Sequence, residues 1–393
     1  MAFEIRVNGV LFTLWETASV QRSIDTNCGV FRFTSTNKSP ADYPVKAGDA
    51  VQIVVDGQSI ITGFVDVINA KGSKAQGMTI RVEGRDNVQD LIDSSVPDGA
   101  KSIETPISIQ AMCREVIAAL GLEIGVIFDA GSITAFPEGT EITADSGKKC
   151  MDFLTDFARK KQVYLVTNGQ GDMIVFRPSG KISSTKLIQE RNGTRNNIIS
   201  FSKNIDDSGR YFEYRVSSQD NFGADDEADY SADGVARKGL SEDDQIRLTR
   251  YLEIQAEESM DGTEIVDRAK EEQNIRTARG FEYSVDVVGT SQDDGTLWNF
   301  GQLVSVQDTV ADVVGTYLIR AVSMSVDLNS GTITTLTLAR PEAYTVRQAT
   351  QQDKRIAPLD GQFQNAKPDE SVVFVRKKKD AEKELERLER LTQ

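Results

Sequence analysis

Gly48-Asp49-Ala50-Val51-Gln52-Ile53, a turn at Gly57, Ile60-Ile61-Thr62-Gly63-Phe64-Val65 and then Thr79-Ile80-Arg81-Val82-Glu83-Gly84-Arg85 form a stretch that the chain repeats in outline nearer its end. The second version runs Gly301-Gln302-Leu303-Val304-Ser305-Val306, then Gly315 and Tyr317-Leu318-Ile319-Arg320-Ala321-Val322. After the turn Asn329-Ser330-Gly331 it closes with Ile333 to Leu338 and Arg340. Both versions alternate apolar and polar residues at period two between glycine turns, as half-buried antiparallel strands do. One polypeptide therefore carries two related β modules. Three copies around an axis would present six near-equivalent β units.

Upstream of the first version, Phe3, Ile5 and Val7 alternate, Asn8-Gly9 signals a hairpin, and Val10 to Trp15 form the returning strand. Val20 to Ile24 and Val30 to Phe33 continue the pattern, which gives about seven short strands by residue 85 and points to a small barrel or sandwich rather than a parallel sheet. In residues 82–93, Gly84 is expected to let the strand turn, and Val88, Leu91 and Ile92 to begin a helical turn that plugs an open end. Residues 1–96 are read as the first β-barrel.

The texture changes after Pro97-Asp98-Gly99. Ile109, Met112, Cys113, Val116, Ile117 and Leu120 fall at helical spacing, with Ser108 as N-cap and Gly121 as the stop. A strand over Leu122 to Phe128 follows, then a second helix near 148–161 with Cys150, Phe153, Leu154, Phe157 and Ala158 on one face. Val163 to Val166 and Met173 to Phe176 flank a hairpin turn at residues 168–172. Residues 97–197 are read as an α/β insertion domain.

Ile198 to Phe201 and Phe212 to Val216 are expected to open the second module, and Phe281 to Val288 with 297–340 to complete it. Residues 198–344 thus read as a second β-barrel carrying an insertion at 219–279: an acidic loop, then a polar helix near 263–279 with Thr263 as cap and Gly280 at its end. Residues 345–393 read as an extended tail with a short mixed-charge helix near 378–391.

Composition narrows the possible chemistry. The 393 residues are 39% hydrophobic, enough for ordinary cores, and no apolar run approaches the roughly 18 residues a membrane helix needs. The start MAFEIRV lacks a signal core, so synthesis in a cytoplasm is expected. Cys28, Cys113 and Cys150 are odd in number and widely spaced, suggesting buried side chains instead of a disulfide framework or zinc site. Histidine is absent, which removes the usual general base, the commonest metal ligand and every Ser-His-Asp or Cys-His arrangement. A net charge of −15 disfavours phosphate backbones as a binding target, but suits a surface past which DNA must slide without sticking.

Several local patterns imitate sites and fail on inspection. Asp225, Glu227 and Asp229 have calcium-loop spacing, yet Tyr230 replaces the required glycine and Ala236 the closing glutamate, leaving a solvated acidic loop. Ser146-Gly147-Lys148-Lys149 lacks the first glycine of a phosphate loop, since Ile142 stands there, and reads as a helix start. Gly169-Gln170-Gly171 lacks the third glycine of a dinucleotide site and lies in a hairpin. Asn192-Gly193-Thr194 is a turn, and 60 acidic residues make any carboxylate pair uninformative. Lys377 to Lys379 run into Asp380, Glu382, Glu384 and Glu386, a salt-bridged helix face. On that helix Ala381, Leu385 and Leu388 share a stripe too short for a coiled coil alone, so it needs either a partner surface or its own subunit. No cofactor, metal or catalytic residue is assigned.

Ordered phrases along residues 3–344 carry a resemblance. Gly9 with Leu11-Phe12 and Ser23-Ile24 come first, then Gly84-Arg85-Asp86, Asp90-Leu91-Ile92-Asp93 and Phe157-Ala158-Arg159. Arg210-Tyr211, Glu213-Tyr214, Val216, Leu297-Trp298 and Gly301-Gln302-Leu303-Val304 follow. In these the chain resembles the baseplate hub proteins of contractile-tailed phages, the late control D type of Mu-like phages. The resemblance implies a homotrimer whose two barrels per subunit form a pseudo-six-fold torus, joining the hexameric tail tube to a trimeric central spike. It further implies a virion protein with other baseplate proteins as partners and DNA only in transit. No active site transfers with it. Gly84, Arg85, Asp86, Leu91, Asp93, Leu297, Trp298, Gly301 and Val304 are fold-signature positions, and Ala381, Leu385 and Leu388 a candidate docking stripe. A wall hydrolase and a peptidoglycan-binding module are the alternatives, the second resting on residues 97–180.

Overall fold

The computed structural model describes residues 3–36, 43–73, 77–178, 180–218, 237–255, 262–329 and 331–344. The acidic residues 225–233 and the tail stripe Ala381, Leu385 and Leu388 lie outside them. Strand makes up 46% and helix 16%, a mainly β protein.

The first module contains β1 (Phe3–Val7), β2 (Val10–Phe12), β3 (Thr17–Ser23), β4 (Val30–Thr36), β5 (Ala50–Val55), β6 (Gln58–Ser73) and β7 (Gly77–Asp86), then the short α1 (Gln89–Asp93). Asn8 and Gly9 both have positive φ, 50° and 79°, as the tight β1–β2 hairpin requires. The insertion follows with α2 (Ile109–Ala119), β8 (Val126–Asp129), α3 (Cys150–Lys160), β9 (Tyr164–Thr167) and β10 (Met173–Phe176). Ser108 caps α2, its Oγ accepting from Ala111 N at 3.1 Å. The strand expected from Leu122 begins only at Val126. Strands β8, β10 and β9 form a small sheet, parallel at β8–β10 and antiparallel at β10–β9, covered by the two helices around their own core.

Next come β11 (Leu187–Gln189), β12 (Ile198–Ile205), β13 (Glu213–Ser218), β14 (Arg237–Glu242), β15 (Tyr251–Gln255), α4 (Gly262–Arg279), β16 (Phe281–Val288), β17 (Leu303–Asp308), β18 (Val313–Asp327) and β19 (Gly331–Ala339). Strand β13 does not open the second module as its alternation suggested. It pairs with β14 and β15 in a separate three-stranded sheet, on which α4 packs through Val216, Ile265 and Ala269. Thr263 lies inside the first turn of α4, not at its cap.

The repeated stretch has become repeated topology. β5-β6-β7-β4-β3 in the first module and β17-β18-β19-β16-β12 in the second are neighbours in the same order. Each meander has a six-residue strand, a long one of 16 or 15 residues, and one of 10 or 9. The register of each long strand slips once against the third, at Asp66 in β6 and at Arg320 in β18. These bulges align the two modules residue by residue, Val65 with Ile319 and Val67 with Ala321.

Two separate barrels were the expectation, but no closed barrel forms among the described residues. The strands join in one 13-stranded sheet whose path runs open from β12 to β2. The reason lies at the seam: β18 pairs with β17 through its first half and with β3 through its second. The outer edge of β3 is thus used between modules instead of closing its own. One apolar core accordingly draws on both, from Ile5, Phe33 and Ile53 to Trp298, Leu318 and Leu338.

Candidate functional site

The first signature cluster sits where β7 meets the insertion. Gly84 does not turn the chain; it lies inside β7, and a Cβ there would fall 2.2 Å from Phe64 O and 2.3 Å from Phe31 Cζ. Its glycine is required by close approach. Arg85 points to the surface and forks between two carboxylates, Nε to Asp66 Oδ2 at 2.8 Å and Nη2 to Asp93 Oδ2 at 2.7 Å. Those bonds hold Asp93 below the ordinary carboxylate range and raise the guanidinium further. Asp86 faces inward and is fully buried. It accepts hydrogen bonds from Gly29 N (2.5 Å), Thr167 Oγ1 (2.6 Å), Cys28 Sγ (3.0 Å) and Val88 N (3.1 Å). Burial raises its pKa while these donors pull it down. One side chain thereby fastens β4, the entry to α1 and strand β9 of the insertion. Leu91 is buried in the insertion core just beyond.

The second signature cluster grips the adjoining strand of the same hairpin. Trp298 is 2% exposed, and its backbone N donates to Thr290 O at 3.0 Å. Gly301 has φ +81° and donates to Ile319 O at 2.8 Å; a Cβ there would strike Phe176 Cζ at 2.3 Å. Phe176, on β10, meets Phe300 edge-on with centroids 5.9 Å apart. Val304 is buried and Leu297 half-buried in the shared core. The β9–β10 hairpin is therefore held from both modules. Its turn also docks on β6, where Ser59 Oγ and Thr62 Oγ1 donate to Gly169 O at 2.5 and 3.0 Å. Nothing in the sequence pattern marked these contacts, because their partners stand some 80 to 130 residues apart.

The groups suited to chemistry are tied down structurally. All three cysteines are free and buried, and burial pushes Cys113 up to about 12 and raises Cys28 and Cys150 as well, so the thiols stay protonated. Among the described residues no three Cys, Asp or Glu side chains gather as a metal site, and no helix is long and apolar enough to cross a membrane. A cavity of about 220 Å³ between the modules is lined mainly by Phe3, Trp15, Val55, Val326 and Leu328.

What the surface offers is strand edge. β12 ends the sheet, and Ile199, Phe201 and Ile205 are 51%, 40% and 63% exposed along it. Past the bulge at Asp66, the second half of β6 pairs with β7 alone among the described strands, and Val67, Asn69, Ala70, Lys71 and Gly72 are exposed. Unpaired edges of this kind are templates for another chain.

Comparison with known proteins bears on these surfaces. Residues 2–86 match the family described as Mu phage baseplate assembly protein GpP-like, N-terminal, and residues 262–347 match Mu phage baseplate assembly protein GpP, fourth domain. The matches bracket the two modules. The baseplate hub protein gp44 of Escherichia phage Mu is 26% identical over 347 residues, 87% of this chain and 88% of that protein. The same fold occurs in the 43 kDa tail protein of prophage MuSo2 from Shewanella oneidensis, with a TM-score of 0.74 at 22% identity over 88% of this chain and 99% of that one. The tail protein from Neisseria meningitidis MC58 also has a TM-score of 0.74, at 20% identity over 87% and 97%. Both module-bearing ends thus match Mu phage baseplate families, and over most of its length the chain is similar to a Mu baseplate hub protein and shares the fold of phage tail proteins.

Proposed function

We propose that this chain is a hub, a structural, non-enzymatic homotrimer in the baseplate of a contractile tail. Three chains set six β modules around one axis. One side of that ring fits a hexameric tail tube, the other a trimeric central spike, and the opening passes DNA during ejection. The observation that carries this reading is the matched strand order of the two modules, down to equivalent bulges at Asp66 and Arg320. The divisions 1–96, 97–197, 198–344 and 345–393 belong to the same reading, with the tail stripe Ala381, Leu385 and Leu388 meeting another baseplate protein. A trimer carries three times the −15 charge of one chain, and acidic faces towards the opening keep DNA from adhering.

Light scattering on the purified chain tests the reading. The expected mass is three times the 43.2 kDa of one chain; a strict monomer at every concentration overturns it. Retention of duplex DNA at low salt would overturn the non-adhesive opening.

A further inference from the structure

The junction between the modules also describes a contact that the chain cannot make with itself. Within the chain, the second half of β18 pairs antiparallel with β3, from Ala321 opposite Ser23 to Asp327 opposite Thr17. Through the bulges, β18 corresponds to β6, so Ala321 to Asp327 match Val67 to Ser73. Through their pairing with β4 and β16, β3 corresponds to β12, so Thr17 to Gln21 match Ser200 to Asn204. In β18 this half is covered by β3, and Val322 and Met324 are buried. In β6 the same half is open among the described residues, and so is the outer edge of β12.

We infer that β12 of one chain pairs with the second half of β6 in a second copy, in the register that β3 and β18 use within the chain. The inference rests on the trimer reading and names its seam. The register sets Ile68 against Ile205, Asn69 against Asn204, Ala70 against Lys203, Lys71 against Ser202 and Gly72 against Phe201 of the other copy. No like charges face each other. Gly72 leaves room for the Phe201 ring, and Ile205 gains an apolar neighbour. The open edge of β12 and that of the second half of β6 are both consumed, and the contact is head-to-tail, which generates a ring when the rotation closes. The hydrogen-bond phase also transfers. Ile24 N donates to Arg320 O at 2.8 Å and Leu328 N to Glu16 O at 3.1 Å, so the pairs at Ile24 and Glu16 are hydrogen-bonded, while the alternate pair Gln21–Ser323 is not. Asn69 and Asn204 take the positions of Ser323 and Gln21. Their side chains are therefore close enough across the seam for a disulfide.

The test is oxidation of the full chain carrying Asn69→Cys and Asn204→Cys, with Asn69→Cys and Ser202→Cys as the displaced control. All three positions are exposed, and the native cysteines are buried, so background linkage is low. The expected result is a covalent ladder ending at three chains in the first variant, at least tenfold more abundant than any product of the control. A trimer by light scattering with no such ladder overturns this seam and leaves the trimer standing. A monomer without linkage overturns both. Ladders continuing past three chains overturn ring closure, and equal linkage in the control overturns the register.

Discussion

The two modules share a strand order and differ in the bulk they place at one strand crossing. In the first, Gly63 and Gly84 occupy the crossing of β6 and β7, and the Phe31 ring fills the space above Gly84. At the corresponding crossing of β18 and β19 the chain places Tyr317 and Leu338, with Tyr283 in the position of Phe31. Tyr317 stacks on Phe281 with centroids 5.4 Å apart, and Leu338 is fully buried. Equivalent strand pairings thus keep an aromatic ring at one position, Phe31 or Tyr283, and differ in whether glycines or large side chains stand beside it. At the first corner neighbouring backbone and the Phe31 ring stand so close that no side chain fits on Gly63 or Gly84; at the second, Tyr317 and Leu338 are accommodated.

This contrast can be broken directly. Gly84→Ala sets a methyl against the Phe64 carbonyl and the Phe31 ring, and should destabilise by about 3 kcal/mol or more, read from urea midpoints. Leu338→Ala opens a cavity instead and should lower stability by about 3 kcal/mol, with a milder structural disturbance visible as retained near-UV circular dichroism. If Gly84→Ala proves neutral, close approach is not what the first corner requires.

Asp86 and Asp93 sharpen the comparison through pH, since they flank one strand end with opposite signs. Asp86 has its pKa raised by burial, so its contribution to stability is greatest in acid and declines as pH climbs from about 4 through the raised value. Asp86→Asn should remove that slope and, by leaving a donor of Gly29 or Val88 unanswered, lower stability at neutral pH by about 2 kcal/mol. Asp93 has its pKa lowered by Arg85, so its contribution is present above pH 4 and lost as pH falls through the depressed value. Arg85→Gln should flatten that acid limb and, because the pair is solvent-screened, change neutral stability by about 1 kcal/mol or less. Denaturant titrations at several pH values distinguish the two slopes.

The strands and their buried faces were legible because alternation records which face meets the core. Val51, Ile53, Val304 and Val306 could be placed from spacing alone. Alternation does not record the neighbour. Nothing in Thr17 to Ser23 says that its partner is Asp327 to Ala321, so an expectation of two closed barrels was natural and the merged sheet was hidden. Phe212 to Val216 shows the same blindness, alternating as well as any strand of the module while serving a different sheet. The phrase Gly84-Arg85-Asp86 stood out, but its meaning depended on Phe31, Asp66 and Thr167, which sequence distance conceals.

The pairing of β3 with β18 also sets a timetable. A strand made within the first 23 residues keeps one edge unanswered until residue 327 has left the ribosome, so the nascent chain carries an adhesive border for most of its synthesis. Such long-range closure makes folding slow and late, and it couples the earliest and latest segments into a single cooperative event. A chain closed this way completes its main sheet only once it is nearly whole.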